Sequence, residues 1–343
     1  MKWSHTSIVT LRMCKRKFYF SQVLSETGHP INLRSQAKWL KKAMNLEMWA
    51  GHVVDTVINT QVVPLLSLEE IPDFKKVEEY AIELARRQFL FSKKKRYREI
   101  HQKEAGEEYC ILDFHEFDLS VKEEDILKAV ERIKIAIRNI PVIRFEDGTN
   151  LLELLLEASP NNKTEKFPKR IRANIQNRHL KVGEADVNPQ IDLLLKHGTQ
   201  QVVIDWKVSD SDMSDYSRQL GIIGTVIYRH RVEQFQKDDS WMYQKSQIRL
   251  LEVNLLRCYI KEHLFNDDTY SHMVDYISQT ACDLDNIKRG RSWNSIPMKE
   301  YPRVVSDACD RCNFYHLCNF LRLYPNEFTI SGYREFVRIA QSD

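Results

Sequence analysis

The 343-residue sequence contains no long uncharged apolar run, so none of it reads as a membrane-spanning helix. It begins MKWSHTSIVTLRMCKRKFYF, without the apolar block of a secretory leader, and a cytoplasmic protein is expected. It has little net charge. Fifty-one Lys and Arg stand against 48 Asp and Glu, leaving +3. That balance neither requires nor excludes a nucleic-acid partner, because a local basic groove is what matters. No internal repeat and no low-complexity linker divides the chain, which favours one domain over residues 1–343. The cysteines are odd in number: Cys14, Cys110, Cys258, Cys282, Cys309, Cys312 and Cys318. An odd count without a secretion signal argues against a disulfide framework.

A hydrophobic content of 43% supports a real core, and 29% charged residues is ordinary. The most informative stretch is Gln190 to Ser209, QIDLLLKHGTQQVVIDWKVS. Ile191 to Leu195 and Val202 to Lys207 read as strands joined by a turn at Lys196, His197 and Gly198. Asp192 interrupts the first strand, and Asp205 and Lys207 end the second. Residues two apart on a strand share a face, so Asp205 and Lys207 point one way, and a hairpin can bring Asp192 beside them. Buried carboxylates repel one another unless something compensates. A divalent cation, which takes oxygen ligands, would hold the acids and leave the lysine to act at a phosphate. The plainer alternative makes Asp192 a bend residue and Asp205–Lys207 a surface ion pair.

Around this hairpin the periodicity predicts helices. One runs from a cap at Thr6 or Ser7 through Ile8 to Phe20, and another from about Ser35 to Val62, carrying Gly51-His52-Val53-Val54-Asp55. Pro64 and Pro72 are expected to bracket a turn. Helices follow from Asp73 to about Glu104 and from Val121 to Ile140, ended by Pro141. Leu151 to Leu156 fits strand or helix. Strands are expected within Ile171–Leu180 and over Lys181–Val187, a helix from about Asp215 to Tyr228, a strand over Ile248–Leu256 and a helix from Asp267 to about Lys288. Two basic clusters stand out: Lys93 to Arg96 with Arg98, and Lys166, Lys169, Arg170, Arg172, Arg178 and Lys181 just before the hairpin.

The segment Cys309-Asp-Arg-Cys312-Asn-Phe-Tyr-His-Leu-Cys318 is the second strong signal. A C-x2-C pair puts two thiolates on one side of a tight turn, a third follows, and a fourth ligand would complete a tetrahedral zinc site or a cubane cluster. Cys14 is the natural fourth, and His316 is an alternative in a zinc site. Cys110, Cys258 and Cys282 lack such spacing and read as small hydrophobes.

Taken in order along the chain, I-D…I-D-W-K over Asp192 to Lys207 resembles the PD-(D/E)XK nuclease core, closest to its RecB-like exonuclease branch. Cys14 with C-K-R-K-F-Y-F, and the late cysteine trio, are similar to AddB-type and CRISPR-adaptation exonucleases that bind a [4Fe–4S] cluster. Lys15 replaces their usual proline. The resemblance implies an α/β fold with a mixed sheet flanked by helices, a helical insertion and termini stapled by the cluster on Cys14, Cys309, Cys312 and Cys318. Residues 1–145 would form a helical part, 146–260 the catalytic core, and 261–343 the C-terminal helices and cysteines.

By the same resemblance His52, Asp192, Asp205 and the Trp206 carbonyl hold Mg²⁺ or Mn²⁺, although Gly51 lies beside His52 and not four residues before it. Asp186 competes with Asp192 for the first acidic position. Lys207 acts on the attacking water, and Gln219 matches a family glutamine whose companion tyrosine, four residues on, is here Ile223. The expected substrate is single-stranded or end-frayed DNA, with a helicase or integrase as a possible partner. The rival is a non-hydrolytic DNA-binding subunit that keeps the fold.

Overall fold

A computed structural model describes residues 3–26, 33–160, 169–176, 178–210, 215–235, 243–325 and 329–340. Parts of the second basic cluster, including Lys166, lie outside the described residues.

Ser4, and neither Thr6 nor Ser7, caps the first helix, α1 (His5–Met13). Ser4 Oγ accepts from the Ser7 N–H, and Ser7 Oγ accepts in return from the Ser4 N–H. The helix does not run through to Phe20. Cys14 is extended (φ −158°, ψ 111°) and separates α1 from α2 (Lys15–Phe18). The break has a tertiary cause: Arg16 donates its backbone N–H to Pro302 O (3.2 Å) and its Nε–H to Tyr301 O (2.7 Å), tying this point to the C-terminal segment.

The helix expected over 35–62 is also split. Between α3 (Arg34–Lys42) and α4 (Leu46–Val57), Met44 leaves the helix to exchange backbone hydrogen bonds with Ile111 and Asp113. Asn45 then caps α4 by accepting from the Met48 N–H (2.8 Å). Pro64 and Pro72 bracket a turn at Leu68 and Glu69, where Leu68 and Glu70 both donate to Leu65 O; Pro64 itself lies in the first turn of α5 (Val63–Ser67), where its missing N–H leaves no bond unmade. Asp73 caps α6 (Phe74–Lys93), which stops well before Glu104 because Lys95 turns left-handed (φ 51°). Short helices α7 (Gln102–Ala105) and α8 (Asp113–Glu116) precede α9 (Glu123–Asn139), which ends before Pro141 as expected. Asn150 and Glu153 form a capping box that makes Leu151–Leu156 a helix, α10.

The sheet follows. Its strands are β1 (Ile171–Ile175), β4 (Ile191–His197), β5 (Gln200–Lys207), β6 (Ile248–Asn254) and β7 (Tyr259–His263), in that spatial order. The β4–β5 hairpin is antiparallel and β5–β6 is parallel, so the sheet is mixed. The single strand expected over Lys181–Val187 is instead a separate hairpin, β2 (Leu180–Val182) and β3 (Ala185–Val187), turning at Gly183 with φ +55°. The β5–β6 crossover contains α11 (Ser217–Phe235). Beyond β7 come α12 (Asp267–Lys288), α13 (Tyr315–Leu323) and α14 (Ile330–Ala340).

Alternation along β5 sorts the two faces. Val202, Ile204 and Trp206 join Val53, Val57, Leu84 and Ile133 from α4, α6 and α9 in one core. Val203, with Leu194 and Leu250, packs on Leu220, Ile223 and Ile227 of α11. Each such fully buried aliphatic side chain stabilises the fold by about 1.5–3 kcal/mol. Gly224 permits the close approach of α11, since a Cβ there would lie 2.9 Å from the Phe265 ring.

In the helical insertion one buried carboxylate ties three elements together. Glu116 accepts from Gln36 Nε2 (2.7 Å), Tyr97 Oη (2.5 Å) and Arg98 Nη2 (2.9 Å). Glu116→Gln removes the charge that Arg98 needs. It should cost about 3 kcal/mol, at the low end for breaking a buried pair because Arg98 keeps some contact with water. Urea unfolding of the variant against the wild type measures it; a change under about 1 kcal/mol would show that the network is not stabilising.

Candidate active site

The β4–β5 ladder ends at Leu193–Ile204. One residue further, Asp192 faces Asp205 across the hairpin, and its Oδ2 accepts the Trp206 backbone N–H (3.2 Å) in place of the next ladder bond. Asp205 is 2% exposed. Its Oδ1 accepts from Gln219 Nε2 on α11 (3.0 Å). Its Oδ2 lies 2.5 Å from Lys207 Nζ, a charge contact that is not aligned as a hydrogen bond. Asp192, Asp205, Lys207 and Gln219, all picked out from the sequence, are therefore together. They line one cavity of about 530 Å³, walled by Trp3, Ser4, His5 and Thr6 on one side and by Val187 to Gln190 on another. The Trp206 side chain points to the opposite face and packs in the core.

The structure adds Asp55. This residue of α4 raises the Asp192 carboxyl's affinity for its proton and is itself raised by Asp205. α4 lies against the end of β5, where a Cβ on Gly51 would touch Val208 Cβ at 4.0 Å. The glycine four residues before a helix ligand, absent for His52, is present for Asp55 as Gly51. That spacing is the signal by which Asp55 could have been found. His52 sits beside Gly51, and burial lowers the basicity of its ring.

Asp186 is engaged elsewhere, its Oδ1 3.0 Å from His179 Nδ1 on the β2–β3 hairpin. A further acid, Glu252, pairs with Asp205 in the parallel β5–β6 register, and its Oε2 lies 2.8 Å from His263 Nε2 in a buried pair. Tyr216, also missed from the sequence, lies with its ring centroid 3.8 Å from Lys207 Nζ.

Burial, then the charges of Asp205 and Asp55, push Asp192 up to about 7, against the opposing pull of Lys207 and the Trp206 N–H. Burial also raises Asp205, with Lys207 opposing, and raises Asp55, with Asn59 opposing. Asp192 and Asp205 repel one another as carboxylates, so one of them holds a proton more readily than both ionise. Among the described residues no three His, Cys, Asp or Glu are gathered closely enough to grip an ion as they stand. The donor chemistry nevertheless fits a divalent cation. Asp205 Oδ2 and Asp55 Oδ1 are buried with no hydrogen-bond partner, and the converging ligands are carboxylate oxygens, as Mg²⁺ and Mn²⁺ prefer.

None of the cysteines is in a disulfide. Cys312 lies within electrostatic range of Cys14 and Cys309, and Cys318 within range of Cys14 and Cys312. Burial raises both thiols, while Lys17 lowers Cys312, and Arg16 and Arg303 lower Cys318. His316 packs on Phe117 with ring centroids 5.0 Å apart.

The raised carboxyl has a measurable consequence. An unfolded aspartate titrates near 3.9, so folding binds a proton at Asp192 between about pH 4 and 7. The metal-free fold therefore loses stability as pH rises through that window and does not regain it above. Asp192→Asn should gain on the order of 2 kcal/mol over the wild type at pH 8 and nothing at pH 4, read by urea unfolding with chelator present. Parallel stability–pH curves for the two proteins would contradict this.

No curated protein matches the chain. The sequence model of the PD-(D/E)XK nuclease superfamily, in contrast, matches residues 2–319, spanning the cysteine trio, the carboxylate cluster and the mixed sheet between them. The chain belongs to the PD-(D/E)XK nuclease superfamily, whose shared chemistry is phosphodiester hydrolysis.

Proposed function

We propose that the protein is a Mg²⁺- or Mn²⁺-dependent deoxyribonuclease of the RecB-like branch, acting as an exonuclease on single-stranded or frayed DNA ends. The observation that carries this reading is the gathering of buried Asp205 with Asp192, Gln219 and Lys207 on one cavity, with the Asp55 carboxyl in electrostatic contact with Asp192 and Asp205. Asp192 and Asp205 would hold the cation with Asp55, joined by His52 and the Trp206 carbonyl as the family resemblance implies. When bound, a divalent cation supplies Lewis-acid activation of the phosphate and eases ionisation of water.

The chain's own residues do the rest. Gln219 fixes one oxygen of Asp205 and leaves the other beside Lys207. Asp192 is held in place by the Trp206 N–H. Lys207 orients the attacking water and offsets charge developing on the phosphate. The cavity, about 530 Å³, is on the scale of a small-ligand pocket, which suits a nucleotide at a strand end.

The same reading places a [4Fe–4S] cluster on Cys14, Cys309, Cys312 and Cys318. The mutual proximity of these thiols and the basic flank of Arg16, Lys17 and Arg303 support it.

The test is digestion of end-labelled linear and circular DNA, single- and double-stranded, with Mn²⁺ or Mg²⁺. Linear single strands should be degraded and circles spared, with Lys207→Ala and Asp205→Ala each losing about 10²-fold or more. Cleavage of circles would refute exonuclease action. A folded wild type inert on every substrate would favour the DNA-binding subunit instead. Anaerobically purified protein should also contain iron and acid-labile sulfide that Cys312→Ala loses; zinc without iron would overturn the cluster assignment.

A further inference from the structure

Lys207 has two neighbours with different futures in a loaded site. One is Asp205, 2.5 Å away. The other is Tyr216, whose ring centroid lies 3.8 Å from Nζ. A lysine is a flexible point charge on a four-carbon stem and must be held to act at one place. Once Asp205 directs its oxygens to a cation, its pull on Lys207 weakens and the cation repels the ammonium. The negative face of an aromatic ring is unaffected by that change and still attracts the charge.

Tyr216 is well anchored for this task. Its carbonyl accepts the Leu220 N–H (3.0 Å), and Asp215 Oδ1 accepts the Ser217 N–H (2.9 Å), so the residue is fixed at the entrance of α11. Tyr216 and Gln219 are three apart and lie on one side of the helix. The amide of Gln219 takes Asp205 Oδ1, and the ring of Tyr216 takes Lys207. Ile223, where the resembled family has its tyrosine, is buried against the sheet. This helix therefore presents its aromatic residue one turn before the glutamine.

We propose that Tyr216 is a positioning residue for Lys207, its ring face keeping the ammonium at the carboxylate cluster when Asp205 turns to the cation; this rests on the nuclease reading. The ring does the work and the hydroxyl does not. Tyr216→Leu is therefore expected to lower kcat about tenfold with KM changed less than about twofold, while Tyr216→Phe stays within about twofold in both.

A second readout needs no turnover. The rate of acetylation at Lys207 with saturating Mn²⁺ and no DNA, followed by mass spectrometry on the folded full chain, should rise severalfold in Tyr216→Leu and stay at the wild-type rate in Tyr216→Phe. Equal behaviour of Leu and Phe in either assay, or unchanged labelling in Tyr216→Leu, would overturn the proposal. A wild type that cleaves no DNA would defeat the nuclease reading, and the labelling would still decide the role of Tyr216.

Discussion

A buried carboxylate, Asp205, has one lysine beside it and the half-buried carboxyls of Asp192 and Asp55 in electrostatic contact, and much of the site's construction follows from that imbalance. Desolvation disfavours each charge, and mutual repulsion adds to it. The fold contains the strain with a limited set of donors: the Trp206 N–H for Asp192, the Gln219 amide and Lys207 for Asp205, and Asn59 for Asp55. Even so, Asp55 Oδ1 has no hydrogen-bond donor, and Asp205 Oδ2 has only the charge contact with Lys207. Such a cluster weakens the metal-free fold at neutral pH and gains most from a cation, which couples ligand binding to stability.

The supporting architecture serves this cluster from both sides of the sheet. β4 and β5 bring two acids together by register, α11 supplies Gln219 and Tyr216 from one face, and α4 delivers Asp55 past the end of β5. The N-terminal segment closes the cavity: Trp3 donates its N–H to Asp186 O and its indole N–H to Thr280, which brings Ser4 and His5 to the rim. The same N-terminal region reaches Cys14 and, through Arg16, the C-terminal segment. One run of chain thus contacts both the carboxylate cavity and the cysteine region.

Much of this was legible in the residues, and the misses have physical causes. The hairpin, the shared face of Asp205 and Lys207, the stop before Pro141 and the bounds of α12 follow from local pattern, and the structure has them. Helix interruptions at Cys14 and Met44 were not legible, because their causes are hydrogen bonds to residues far along the chain. The short hairpin at Gly183 reads locally as one strand until a positive φ is imposed. Asp55 drew no notice beside His52 because a histidine invites a ligand role, while Gly51, one turn before Asp55, marks where the helix meets the end of the strand. Tyr216 falls within the helix expected from about Asp215 but precedes α11, and only packing brings its ring to Lys207.

The central claim is that Asp55, Asp192 and Asp205 act together as one cation site. Titration calorimetry of Mn²⁺ into the wild type and Asp55→Asn, at pH 8 and pH 6 without DNA, tests it most directly. The wild type should bind more weakly at pH 6, where the proton near Asp192 competes. Asp55→Asn should bind at least about tenfold more weakly than the wild type at pH 8. Equal affinity in the two proteins, unaffected by pH, would contradict the claim.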